Sequence, residues 1–400
     1  MFAKVLLKII TLIFISSLLF SQDVWLKLEV GERRKLGISI DEFSSLQGME
    51  SLRDTIREII ENDLRFSLYF DIKEDAVTHI SGEVTEEELC ITVYETPRIT
   101  KIMNGRYPLS SSIRDACHRA SDDIIRTLIG EDGICRTKIF FLTKINSNKR
   151  IALADYTGHN SILLDMNNYC LSIAPSPDCK KIAYTTYQGN NLCLYLLDIE
   201  TGGKEIISDR EGLNTAPAFS PDGKKLAVSL SKDGNPEIYV IDLKSKKARR
   251  LTVNRAIDTS PTWSPTGKEI AFVSDRSGSP QIYIMGSDGT GVRRLTYEGW
   301  YNTSPRWSPR GDRIAYVAMD EEKKLNIYTI LVTGEGRTCL TFQGNNEEPS
   351  WSKDGLHIAF IAFISNRSGR YELYTMHWDG SGQRKILTYG DGIYSSRWSQ

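Results

Sequence analysis

The decapeptide Ala-Phe-Ser-Pro-Asp-Gly-Lys-Lys-Leu-Ala (218–227) returns as Thr-Trp-Ser-Pro-Thr-Gly-Lys-Glu-Ile-Ala (262–271), Arg-Trp-Ser-Pro-Arg-Gly-Asp-Arg-Ile-Ala (306–315) and Ser-Trp-Ser-Lys-Asp-Gly-Leu-His-Ile-Ala (350–359). A worn copy, Pro-Ser-Pro-Asp-Cys-Lys-Lys-Ile-Ala, occupies 175–183. The serines at 176, 220, 264, 308 and 352 are spaced by 44 residues each time. A fixed period of this length is the mark of a repeat architecture.

Each unit divides into four strand candidates; in the unit beginning at Asn214 these are Ala216–Phe219, Lys225–Leu230, Glu237–Leu243 and Ala248–Thr252. Pro221-Asp222-Gly223 makes the first turn, since Pro presets φ, Asp bonds nearby backbone and Gly accepts positive φ. Four short antiparallel strands per unit is the pattern of a propeller blade. Ahead of the first serine anchor, Lys138–Thr143, Arg150–Tyr156 and Ser161–Asp165 offer three strands, and Ser396-Arg397-Trp398-Ser399 offers the missing one. The expected architecture is thus an N-terminal α/β domain followed by an all-β six-bladed β-propeller closed by a C-terminal strand. Closure removes exposed sheet edges. One spacing departs: Trp351 to Trp398 is 47, and Ile358-Ala359-Phe360 is followed by Ile361-Ala362-Phe363. A bulge or longer loop is expected between Phe360 and Ser365.

Residues 22–135 carry no copy of the repeat. Val24 to Val30 alternate as a strand, and Leu36 to Ile40 suggest a second. Met49, Leu52, Ile56, Ile59 and Ile60 recur at helical spacing, with Asn62 helping to end that helix. Strands are expected at Phe66–Ile72, Val77–Val84, Leu89–Tyr94 and Arg98–Met103. A second helix is expected to start near Ser112, carry Ile113, Ala116, Ala120, Ile124 and Leu128 on one face, and stop at Gly130. Before this lies a leader: Lys4 and Lys8, then an apolar run from Ile9 to Phe20. It reads as a secretory signal peptide over 1–21, cleaved near Ser21, and is short for a membrane span. The expected division is 1–21 leader, 22–135 α/β domain and 136–400 propeller.

A net charge of −1 implies no general attraction to nucleic acid or anionic lipid. Seven cysteines at 90, 117, 135, 170, 179, 193 and 339 match no zinc spacing, and they read as buried free thiols, with one disulfide inside 170–193 as the alternative. The chain has no nucleophile elbow, metalloprotease helix or phosphate loop, so no catalytic site, cofactor or metal is expected.

Trp263, Trp307, Trp351 and Trp398, with Phe219 in place of one, are read as structural residues packed between blades; an aromatic ligand cage is the alternative. Six residues before each serine stand Asn214, Asp258, Asn302 and Asn346. With Leu213, Thr215, Ala216, Thr259 and Thr303 they form either turn caps or a docking rim at one mouth of the channel.

Leu64-Arg65 with Tyr69-Phe70, Ser81-Gly82-Glu83-Val84, Ala116-Cys117-His118-Arg119-Ala120-Ser121-Asp122-Asp123-Ile124, Leu128-Ile129-Gly130-Glu131-Asp132-Gly133, Thr137-Lys138-Ile139 and the closing Trp398-Ser399-Gln400 resemble the TolB family, the periplasmic component of the Tol–Pal system. The resemblance implies a non-enzymatic, monomeric periplasmic adaptor, without membrane insertion of the mature chain, supporting outer-membrane integrity and envelope constriction at division. It implies that Pal, the peptidoglycan-associated lipoprotein, meets the nine rim residues just named. It implies that TolA meets Gln22, Asp23, Val24, Trp25, Leu26, Lys27, Leu28, Glu29 and Val30. The family usually has a longer connection than this chain shows between Asp71 and Val84, and Cys170 and Cys179 alter the first rim segment and its turn. The alternative is a gating or glycan-binding module related to hydrolase-associated propellers.

Overall fold

The computed structural model describes residues 35–110, 112–145, 148–164, 169–363 and 370–399. The leader and the segment Gln22–Val30 lie outside the described residues. The first unit is a mixed sheet of β1 (Leu36–Ile40), β2 (Ser44–Ser45), β3 (Phe70–Ile72), β4 (Thr78–Val84), β5 (Glu88–Glu95) and β6 (Thr100–Pro108), with α1 (Glu50–Phe66) and α2 (Ile113–Ile129) packed on each other and α2 along β6. β1 runs parallel to β3 and β4, while β4, β5 and β6 form an antiparallel meander.

The start and stop signals of α2 act as the sequence suggests. The Ser112 hydroxyl accepts from the Asp115 amide at 3.3 Å, and Gly130 takes φ 78° while its N–H bonds Arg126 O. Ala116, Ala120 and Ile124 are buried, whereas Ile113 stays exposed. The first helix departs from expectation by running past Asn62 to Phe66. Asn costs a helix only a few tenths of a kcal/mol, about 0.7 at most, while burying Leu64 and Phe66 is worth about 1.5–3 kcal/mol each. Burial wins, and the strand expected from Phe66 shrinks to β3.

Six four-stranded antiparallel sheets follow. Their inner strands are Cys170–Pro175, Asn214–Phe219, Asp258–Trp263, Asn302–Trp307, Asn345–Trp351 and Ile393–Trp398. The last pairs with Lys138–Ile145, so a C-terminal strand completes the sheet whose other strands open the propeller. The inner strands pack side by side in one sense around the axis, and each blade core is shared with a neighbour.

The doubled triplet does not bulge its strand. His357–Phe363 keeps unbroken register with Tyr371–His377. His357 pairs with a residue 20 positions on, whereas Glu269 pairs 17 positions on. Of the three extra residues, two add the pair Phe363–Tyr371 at the loop end of the ladder and one lengthens the connection, seven residues (364–370) against six (275–280). Lengthening a connection leaves both strand faces unchanged, and an insertion in the ladder would not.

Candidate functional site

Each inner strand begins where the chain enters from the outermost strand of the preceding blade, an end marked by Asn or Asp in four of the six (the Asn end). It finishes at an end marked by Trp in four of the six (the Trp end). At the Asn end, Asn214, Asp258 and Asn302 are 0% exposed and Asn346 is 2% exposed. Their side chains face inward. Asn214 Nδ2 donates to Arg210 O at 2.6 Å and Leu192 O at 2.9 Å, and its Oδ1 accepts from Ser208. Asn302 Nδ2 donates to Glu298 O at 3.0 Å and Gln281 Oε1 at 2.8 Å. Asn346 Nδ2 reaches Gln343 O at 3.1 Å and Asn326 Oδ1 at 3.3 Å. Asp258 Oδ2 accepts from Asn254 at 2.7 Å and Arg276 at 2.8 Å. Each grips the entering connection three or four residues upstream. Buried and bonded, these four side chains hold the entering connections in place.

Thr215, Thr259 and Thr303 follow, half-buried, and then the strand breaks register. Ala216, Ser260, Ser304 and Glu348 sit at φ 51–53°, each before a proline, in a bulge where two inner-strand residues oppose one. A left-handed conformation costs an L-residue about 1–2 kcal/mol, so four at one period form a built feature.

The gripped connections carry what the sequence reading missed. Val253, Ile257, Tyr297, Trp300 and Phe342 are 48–76% exposed, and Leu213 is exposed as well. All lie in the connections entering the inner strands, hence on one face of the propeller. A signal for three of them was present: Val253, Tyr297 and Phe342 directly follow Leu251-Thr252, Leu295-Thr296 and Leu340-Thr341. Those threonines are buried, and their hydroxyls accept from the Ile238, Ile282 and Ile327 amides at 2.9 Å. The next residue is thrown outward.

At the Trp end, the Ser-Pro turns are pinned by their own side chains. Ser220 Oγ donates to Asp222 at 2.5 Å and accepts from the Lys225 amide at 3.0 Å. The serine hydroxyl, then the Lys224 amide, hold the Asp222 carboxyl below its usual range. The four tryptophans pack against the preceding blade, and Trp263 and Trp351 also donate to Ala218 O and Arg306 O there, at 3.1 and 3.0 Å. They also line a cavity of about 340 Å³.

The N-terminal unit packs against this same end. His357 Nε2 donates to Phe66 O at 2.7 Å, Trp398 Nε1 donates to Thr137 Oγ1 at 2.7 Å, and Lys353 meets Asp132 at 2.9 Å. Asp63, buried, is bonded by His118 Nδ1 at 2.8 Å and by the Tyr156 hydroxyl. Among the described residues, these contacts leave the Asn-end face uncovered. Among the described residues, no cluster of His, Cys, Asp and Glu could hold a metal ion, and Cys90, Cys117, Cys135, Cys193 and Cys339 are free thiols, three of them buried and two partly so. No helix of the described residues is long and apolar enough to cross a membrane.

Residues 125–400 match the PD40 family, described as the TolB beta propeller domain. The chain belongs to the TolB family. Among curated relatives, the Tol-Pal system protein TolB of Hahella chejuensis is 32% identical over 231 residues, covering 48% of this chain and 52% of its own length. That of Wigglesworthia glossinidia brevipalpis is 28% identical over 48% of this chain and 54% of its own. The chain therefore spans about half the length of these curated relatives. In three dimensions it is similar to the crystal structure of TolB from Acinetobacter baumannii, with TM-score 0.78 and 28% identity over 92% of this chain and 97% of that one. The two curated relatives are named as Tol-Pal system proteins.

Proposed function

We propose that this chain is a periplasmic, monomeric adaptor of a Tol–Pal system, exported by its leader (1–21), that docks Pal on the Asn-end face and meets TolA through Gln22–Val30. The unit 22–135 then serves as the TolA-side module and 136–400 as the docking propeller. The observation that carries this is the set of exposed apolar residues on one face, around Trp300 and Phe342. Exposed apolar side chains gathered on one face of a rigid scaffold mark interaction surfaces, and interface energy concentrates in aromatic anchors. Among the described residues, the N-terminal unit packs at the other end, which leaves that face open to a folded partner. The nine rim residues act here by two routes. Leu213, Thr215, Ala216, Thr259 and Thr303 border the face, and Asn214, Asp258, Asn302 and Asn346 hold its loops in place.

Calorimetric titration of purified Pal into the exported chain tests the docking reading. Saturable one-to-one binding is expected, and absence of heat at tens of micromolar, with TolA binding retained, would remove Pal as the partner.

A further inference from the structure

The cavity at the Trp end is ringed by one residue from each inner strand, the next-to-last: Ala174, Ala218, Thr262, Arg306, Ser350 and Arg397. The ring is lopsided. Two guanidiniums stand on one side, and small side chains leave space on the other. Between them, Glu348 Oε2 lies 2.7 Å from Arg397 Nη1 and 3.4 Å from Arg306 Nη2. One carboxylate cannot neutralise two cations, so a net positive charge faces the cavity. The Arg306 and Arg397 side chains are only 16% and 15% exposed. Arg306 Nε is buried with no hydrogen-bond partner, an arrangement that costs free energy until an acceptor arrives. Burial, then repulsion from Arg397, pushes the Arg306 guanidinium down to about 9, a penalty that a bound anion would relieve. Lys353 at the mouth is already matched by Asp132.

The remaining walls are mostly apolar, with Ser264 and Ser308 among the lining residues. Trp263, Trp307, Trp351 and Trp398 contribute to them, and prolines of the turns frame the opening. We propose that this cavity binds a small organic anion, with its carboxylate against Arg306 and Arg397 and its ring or alkyl body against the indoles and prolines. A volume of about 340 Å³ is at the low end of small-molecule pockets and suits a single-ring acid. Planar guanidinium groups favour a carboxylate over a point anion, because they offer paired donors. This site lies at the opposite end of the channel from the docking face and does not rest on that reading.

The test is a titration of the full chain with phenylacetate, followed by the indole N–H resonances of the tryptophans. Saturable shifts of the cavity tryptophans are expected, with phenylacetamide producing none at equal concentration and inorganic phosphate binding at least tenfold more weakly. Arg397→Gln should weaken phenylacetate binding by about tenfold or more, the loss of one charge-assisted contact. The wild-type comparison of acid, amide and phosphate stands even if that variant folds poorly. No saturable shift with the acid, equal shifts with the amide, or phosphate binding as tightly as the acid would each overturn the proposal.

Discussion

The two ends of the inner strands are built on the same rule and put to different use. At the Asn end the repeating residue is a buried amide or carboxylate, and the loop it grips carries Val253, Tyr297, Trp300 or Phe342 outward. At the Trp end the repeating residue is a buried indole, replaced by Phe219 in one blade, and the position before it changes from Ala218 to Thr262 to Arg306. In both places the period marks the scaffold, and its breaks mark where recognition chemistry can sit. Among the described residues, the N-terminal unit packs at the Trp end.

The largest effect should come from the repeating residue at the Trp end. Trp351→Ala, at a side chain 1% exposed, should cost about 3–5 kcal/mol in urea unfolding. A loss below about 1 kcal/mol would contradict the blade-to-blade packing.

Glu348→Gln comes next, at about 3 kcal/mol, because it leaves two mostly buried guanidiniums without their carboxylate. Its pH dependence has a definite sign. Burial raises the carboxyl, but Arg397 and Arg306 outweigh it and hold Glu348 below its ordinary value. The folded carboxylate therefore contributes fully above the unfolded value of about 4.3, and that contribution is lost as pH falls through the lowered folded value. The stability gap between wild type and Glu348→Gln should narrow on acidification below about pH 5. A gap that widens would contradict the triad.

Asn302→Ala should cost about 1–2 kcal/mol, since it removes bonds to Glu298 O and Gln281 inside the Asn end. Its effect on partner binding should be indirect and smaller than that of the neighbouring Trp300→Ala. Smallest is Lys353→Ala. Its ion pair with Asp132 is half-exposed, so thermal unfolding should register less than about 1 kcal/mol.

Much of this was legible in the chain before any coordinates. The spacing of 44 gave the blades, and Trp398 near the C-terminus gave the closing strand, because a period is a local property that needs no knowledge of packing. Ser112 and Gly130 delimited α2 for the same local reason. The direction in which Asn214 or Asp258 points was not legible. Asn and Asp suit an exposed rim and a buried cap equally well, and only the tertiary partners decide. Nor was the Arg306–Glu348–Arg397 group, whose members come from three different strands and meet only once the ring closes. The end of α1 was misjudged because Asn62 is a weak breaker and Leu64 and Phe66 had burial to gain beyond it.

The central claim is that the Asn-end loops, and not the repeating caps beneath them, meet the partner. The most direct measurement is calorimetric titration of Pal into the Trp300→Ala/Phe342→Ala chain, alongside its melting temperature. Both side chains are exposed, so melting should stay within about 2 °C of wild type while affinity falls at least about tenfold. Unchanged affinity in a chain that melts normally would contradict the account.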